Sequence, residues 1–285
     1  MKELAVLGSQ PVAVSYMACD GYKETNTPPG KDVAWKPVTA ETLLSGRDAH
    51  FWLHASFQTP AADRDETEVR LQIRSGREGL LDTTNPQFIV YVNGSARQAL
   101  DTNYTWVPLE HGKEHDVYMY LYMGMDNGNI FIEATFETID LKAGALYYDI
   151  HVPYLCLDEL DANSYDYITV HDSLSKACML LDLRDFYSDA YYESIDRTSA
   201  YLREEFYGKL CGKSDTTVSC IGHTHIDVTW LWTVAQTREK AQRSFSTVIN
   251  MMDRYREYIF MSSQPQLYQF VNGNFFDYVG NCVTQ

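Results

Sequence analysis

The sequence predicts an α+β multidomain chain: an antiparallel β-sandwich over residues 1–157, a helical linker over 158–215, and the first βα units of a further domain over 216–285. Three observations predict it. Short β-favouring runs recur from about residue 48 to 157 with no helical period among them. After Asp158 the apolar spacing changes to the three-and-four rhythm of amphipathic helices. From Thr217 a strand-like run, a loop, a long helical pattern and a second strand-like run follow one another, as at the start of an α/β domain.

Residues 1 to about 35 read as irregular, with Pro28-Pro29-Gly30 as a breaker. Residues 49–57 are apolar and β-favouring, and residues 68–74 alternate, giving one wet face and one dry one. Residues 87–92 form the next run and end on Asn93-Gly94, a turn pair. Runs at 117–123, 130–136 and 147–157 bring the count to at least six strands, which suits a sandwich. In the linker, Ile168, His171, Leu174, Cys178 and Leu181 share one helical face. Ile195, Ser199, Leu202 and Phe206 share another, and Gly212-Lys213-Ser214-Asp215 closes the linker. A helix from about Val234 to Tyr255 carries the stripe Ala241, Phe245, Val248, Ile249 and Met252, which reads as core packing. Tyr258–Met261 reads as the next strand, Ser262-Ser263 as a cap and Pro265 as an early helical residue.

A chain of 285 residues suits roughly two domains at ~150 residues each. The net charge of −16 argues against a nucleic-acid partner or an anionic membrane surface, both of which need positive patches. The 21 tyrosines suit sheet faces and sugar-binding surfaces, with sheet packing the plainer use. Six cysteines are scattered with no Cys-x-x-Cys pair, so a reducing, cytoplasmic compartment is expected. The first residues carry no long apolar core or clear cleavage site, and no stretch approaches ~18 apolar residues. The sequons at Asn93 and Asn103 are therefore expected to be silent, and Asn93-Gly94 to be a turn.

The most informative stretch is Gly222-His223-Thr224-His225-Ile226-Asp227-Val228-Thr229-Trp230-Leu231-Trp232. In an extended chain alternate side chains point the same way, so His223, His225 and Asp227 are expected to converge. Imidazole and carboxylate are zinc-type ligands, and a hydrolytic site needs three or four of them with one position open. Just past a strand's carboxyl end is where α/β domains build such sites. His225 and Asp227 are the expected metal ligands, with His223 either a third ligand or a support for them. Trp230 and Trp232 offer flat apolar faces to a pocket. Spacing alone leaves two metal-hydrolase patterns. A His-x-His-x-Asp-His site is spoiled by Val228, whereas the short His-x-His pattern is satisfied by His223 and His225.

The wider stretch from His223 to Phe270 resembles the start of the catalytic domain of glycoside hydrolase family 38, the α-mannosidases. It includes Val234-Ala235-Gln236-Thr237-Arg238-Glu239-Lys240 and Ser262-Ser263-Gln264-Pro265-Gln266-Leu267-Tyr268. The resemblance is specific over about fifty residues. Upstream, a sandwich and helical linker are similar in arrangement to the cytosolic and bacterial members. The resemblance implies a retaining glycosidase acting on mannose-containing oligosaccharides, with a seven-stranded β/α barrel of which this chain holds the first units. It implies a divalent metal, usually zinc, held by residues matching His225 and Asp227, and a sugar-stacking aromatic matching Trp230. In the family the nucleophile, the acid/base carboxylate and a further metal-binding histidine come later.

No catalytic carboxylate is therefore expected in this chain. Glu239 and Asp253 sit on the charged helix and read as solvated or paired, and Asp277 lacks the nucleophile's context. After Phe270 two glycines replace the expected helix, which reads as a truncation or frame change. The expectation is an N-terminal fragment, inactive alone, whose 217–285 segment is unstable unless another chain or a homo-oligomer completes it. Two other readings stand beside it. One is a non-catalytic carbohydrate-binding or interaction module using the sandwich's tyrosines and tryptophans. The other is a small complete metallohydrolase, which would have to draw on His50, His54, His111, His115, His151 or His171, all in the sandwich or linker.

Overall fold

The computed structural model describes residues 3–19, 27–30, 32–80, 86–211 and 217–272. The linker end at 212–215, Asp277 and the glycine-containing stretch from 273 onwards lie outside the described residues. In chain order the strands are β1 (Val6–Pro11), β2 (Ser15–Cys19), β3 (Lys36–Pro37), β4 (Leu44–Ser45), β5 (His50–Gln58), β6 (Thr67–Arg74), β7 (Gln87–Val92), β8 (Ser95–Leu100), β9 (Trp106–Leu109), β10 (Glu114–Tyr122), β11 (Asn129–Ile130), β12 (Glu133–Asp140), β13 (Gly222–His223) and β14 (Phe260–Met261). The α-helices are α1 (Leu141–Cys156), α2 (Tyr165–Leu180), α3 (Asp189–Tyr201), α4 (Val234–Arg254) and α5 (Pro265–Asn272). The fold is mixed α+β with several antiparallel sheets. Contacts divide it into two units. One comprises Met1–Gly8, Asp63–Glu68 and Thr138–Val218; the other comprises Ser9–Ala62, Val69–Glu137 and Ser219–Gln285.

In the larger unit a six-stranded sheet runs in the order β3-β2-β5-β10-β7-β8. Its pairings are antiparallel. A second sheet has the order β1-β12-β6-β9. Alternation along β10 shows how the strands are used. Val117, Met119 and Leu121 enter a core with Leu53 and Ala55 of β5, Leu71 and Ile73 of β6, and Phe136 of β12. The intervening Tyr118 and Tyr120 face the other way and cluster with Trp52, Ile89 and Tyr91. Both faces of the six-stranded sheet are thus buried. That is why β7 reads as a continuous apolar run and not as an alternating one. Each large apolar side chain removed from water contributes about 1.5–3 kcal/mol.

The smaller unit is helical. Ala143 and Leu146 of α1, Leu174 and Ala177 of α2, and Tyr191 and Ile195 of α3 share a core with Leu202 and Phe206. The predicted face of Ile195, Leu202 and Phe206 is buried as expected. The predicted face of α2 is rotated: Ser173, Leu174 and Ala177 are buried, while Ile168, His171 and Cys178 are exposed. Small side chains let helices approach closely, and apolar periodicity does not register them. The run 147–157, expected as a strand, is helical through Cys156. Asp140 starts the helix upstream, its side chain accepting a hydrogen bond from the Ala143 amide at 2.9 Å. The β-favouring residues that follow are carried along by a helix already nucleated.

The second face of the six-stranded sheet is covered by α4. The helix has two buried stripes. Ala241 and Phe245 pack with Ile226, Leu267 and Val271. The opposite stripe is polar and meets the sheet. Asn250 donates to Gln98 Oε1 at 2.9 Å, Thr247 accepts from the Ala99 amide at 2.9 Å, and Arg243 donates to Gln87. Glu239 accepts from the Tyr120 hydroxyl at 3.2 Å and from Gln236 Nε2 at 2.9 Å, and it lies 3.5 Å from Arg243 Nη1. Tyr120 in turn is 2.7 Å from His50 Nδ1. Glu239 was expected to be solvated or paired; it is paired, and at 1% exposure it is not solvated. A charge-rich stripe at i, i+4 and i+8 spacing is the same in sequence whether it meets water or a sheet of tyrosines.

Burial raises the Glu239 carboxyl from 4.5 to about 7, partly offset by Arg243. Burial lowers His50. A raised carboxyl makes its ionised form the costly one in the folded state. The stability it permits is full below its unfolded value and is lost as pH rises through about 7. Between about pH 5 and about pH 8 the protein with Glu239 should lose roughly 2–3 kcal/mol of unfolding free energy relative to Glu239→Gln, read from urea titrations. Because His50 Nδ1 lies 3.9 Å from Glu239 Oε1 and its titration is coupled to that carboxyl, both proteins carry His50→Phe in this comparison. Parallel pH profiles for the two would contradict the burial of this carboxylate.

Candidate functional site

The informative stretch begins where β13 pairs in parallel with β14, Gly222 opposite Phe260 and His223 opposite Met261. The Gly222 amide donates to the Ile259 carbonyl at 2.7 Å. Gly222 is required by space: a Cβ there would lie 2.5 Å from the Tyr258 hydroxyl oxygen. Beyond β13, Ile226 turns into the core with Ala241, Phe245 and Leu267. With Ile226 anchored inward, its neighbours on either side face out. His225 and Asp227 come together there, Nε2 to Oδ1 at 3.0 Å.

The pair is solvent-accessible, with the histidine the more open of the two. The structure does not bring His223 into it. His223 is exposed on β13, and among the described residues no group of three His, Cys, Asp or Glu side chains is placed to hold a metal ion. An imidazole nitrogen and a carboxylate oxygen at this separation are the donor types of a zinc site, supplying two of the three or four it needs.

Trp230 is 70% exposed. Its ring meets that of Trp232 edge-on, with centroids 5.9 Å apart. Trp232 is held in place: its Nε1 donates to the Thr237 hydroxyl at 3.2 Å, and the Thr237 hydroxyl donates to the Val228 carbonyl. Lys240 Nζ lies 4.4 Å from the centroid of the Trp232 ring, an attractive cation–π placement. Burial draws that ammonium down to about 8. Thr233 caps α4 by accepting from the Gln236 amide at 3.3 Å. The helix that packs on the sheet therefore also tethers the loop carrying Trp230. Sequence reading missed Thr237 and Lys240. Their spacing of five and eight residues from Trp232 was the available signal.

The aromatic residues of the sandwich are placed otherwise. Trp52, Tyr91, Tyr118 and Tyr120 are buried in one cluster. These four serve sheet packing, while Tyr104 of the same region is exposed.

Residues 215–277 match the family described as "Glycosyl hydrolases family 38 N-terminal domain". "Alpha-mannosidase G" of Dictyostelium discoideum is 26% identical over 200 residues, covering 70% of this chain and 14% of that protein. "Alpha-mannosidase 2C1" of Homo sapiens is 38% identical over 74 residues, covering 26% of this chain and 7% of that protein. The "Alpha-mannosidase" of Saccharomyces cerevisiae is 30% identical over 142 residues, covering 46% of this chain and 13% of that protein. The resemblance to a glycosidase family is borne out. Over 215–277 the chain is similar to the N-terminal domain of family 38 glycosyl hydrolases, and the relatives it matches are α-mannosidases. The chain spans 14% or less of the length of these relatives.

The close approach at Gly222 is open to a double-mutant test. Gly222→Ala should cost about 1–3 kcal/mol of stability in the wild-type background and close to nothing in a Tyr258→Ala background. Equal costs in both would show that the tyrosine is not what excludes a side chain.

Proposed function

We propose that this chain is the N-terminal part of a metal-dependent, retaining α-mannosidase acting on mannose-containing oligosaccharides. The observation that carries the reading is the outward-facing His225–Asp227 pair, 3.0 Å apart, inside the stretch that matches family 38. A divalent metal, zinc being the natural fit to one nitrogen and one oxygen donor, supplies Lewis-acid contact to substrate hydroxyls when bound. His225 and Asp227 would hold it, and His223, on the adjoining strand, would support the pair or join it. Trp230 offers its exposed face to the apolar side of a sugar ring, braced by Trp232, Thr237 and Lys240.

Retaining hydrolysis needs two carboxylates about 5 Å apart, one attacking and one donating a proton. Among the described residues the acidic groups near this loop do not fill those roles. Asp227 is a ligand candidate, and Glu239 is buried in hydrogen bonds with Tyr120 and Gln236. The attacking and proton-donating groups, and further ligands, are assigned to the remainder of a complete enzyme, with β13 and β14 as the first strands of its β/α barrel. The exposed Ile221 and Ile259 just before those two strands, and Met261 within β14, support this, because they are apolar positions open to cover. A cytoplasmic setting belongs to the same proposal and is supported by the scattered cysteines. Among the described residues no helix is long and apolar enough to cross a membrane.

Two measurements test this reading. Zinc competition against a chromophoric chelator should show binding that weakens about tenfold or more in both His225→Ala and Asp227→Ala. Unchanged affinity in both would remove the metal assignment. An aryl α-mannoside should not be hydrolysed by this chain alone, with or without zinc. Turnover that Asp227→Ala abolishes would show that the chain holds a complete site after all.

A further inference from the structure

In the smaller unit α1 is apolar on two opposite faces. Ala143, Leu146 and Pro153 are buried on one side. On the other side Leu141, Ala145, Tyr148, Val152 and Leu155 follow one another in steps of four, three, four and three residues, and all five are exposed. The four larger ones are between 41% and 60% exposed. Such steps hold side chains on one stripe of a helix, and they are the seam spacing of paired helices. Scattered exposed apolar residues are ordinary on a protein surface, but a continuous stripe marks a contact. A helix apolar on both sides is a helix that is covered on both sides.

The stripe continues through a proline. Pro153 has no amide to donate to the Asp149 carbonyl one turn back. The Tyr207 hydroxyl donates to that carbonyl instead, at 2.8 Å. The helix thus runs on to Cys156 with the freed carbonyl satisfied, and the stripe extends to Leu155.

Three properties select the occupant. The stripe is nearly palindromic about Tyr148, with Leu141 and Leu155 seven residues to either side and Ala145 and Val152 three and four. A twofold axis at Tyr148 therefore sets each copy's Leu141 against the other's Leu155, the self-complementarity that an isologous contact needs. Charge fixes the direction. Exposed Asp158 and Glu159 follow the end of α1, and no basic residue falls in its last turn. They add negative charge to the helix end that is already negative. Antiparallel pairing keeps the two acidic ends roughly 24 Å apart, the length of a 16-residue helix, whereas a parallel pair would bring them together. The area suffices: the stripe and its margins offer roughly 500 Å² per copy and about 1,000 Å² for a pair, the lower bound of specific interfaces. We infer that the outer face of α1 is the contact of a twofold-symmetric homodimer, helix against antiparallel helix. None of its residues falls in the family-matched 215–277 stretch, so it stands independently of the His225–Asp227 reading.

Sedimentation equilibrium on the full chain tests it. A dimer with a Kd of about 1–100 μM is expected for a contact of this size. Tyr148→Glu, which opposes two carboxylates at the axis, should raise that Kd about tenfold or more. Leu141→Lys and Leu155→Glu should each weaken self-association. Mixing those two variants should restore it to within about threefold of the wild type, because the antiparallel register sets 141 against 155. Met261→Glu, on the exposed apolar surface beside β13, should leave the Kd unchanged. The substituted stripe positions are exposed, so the fold should survive; thermal unfolding checks this, and Val152→Glu stands in for Tyr148→Glu if that variant does not fold. A chain still monomeric at ~200 μM, or a dimer indifferent to Tyr148→Glu, would overturn the proposal. So would a mixture no tighter than either variant alone. A dimer lost with Met261→Glu would overturn it too, and would assign the contact to the β13–β14 surface.

Discussion

The structure depends on a polar helix face buried against a sheet of tyrosines. Glu239, Arg243, Thr247 and Asn250 fall one above another on α4, and each meets the six-stranded sheet through a hydrogen bond. Polar groups removed from water cost free energy unless they are satisfied, so this face can lie here only in a register where its partners line up. Apolar contact would tolerate sliding; this contact does not. Its contribution is orientation more than raw stability, since a buried ion pair roughly breaks even against well-packed apolar residues.

Orientation matters because α4 also fixes the loop before it. Thr237, one turn into the helix, holds both Trp232 and the Val228 carbonyl. Ala241 and Phe245, on the opposite face, anchor Ile226. His225 and Asp227 flank that anchor and have only one way to point. The family-matched stretch is therefore integrated with the sandwich in a single unit, and its loop geometry follows from a packing decision made on the sheet.

Much of the fold was legible in the sequence because alternation and helical spacing report directly on which side is dry. β6 and β10 follow that rule, as does the face of Ile195, Leu202 and Phe206. The misreadings share one cause. Ser173 and Ala177 pack by being small, Glu239 is buried by being satisfied, and 147–157 is helical because Asp140 caps a helix that begins earlier. None of these depends on hydrophobicity at the position itself. At the candidate site the side-by-side placement of His225 and Asp227 was legible from alternation. The placement of His223 apart from the pair and the bracing by Thr237 and Lys240 depend on tertiary structure.

The central claim is that α4 and the six-stranded sheet form one cooperative body. Native-state hydrogen exchange reads this most directly. The account predicts that amides along α4 and along β7 and β10 open with the same free energy and respond in parallel to added denaturant. Amides of α4 that exchange through a separate opening of much lower free energy, while the sheet stays protected, would contradict it.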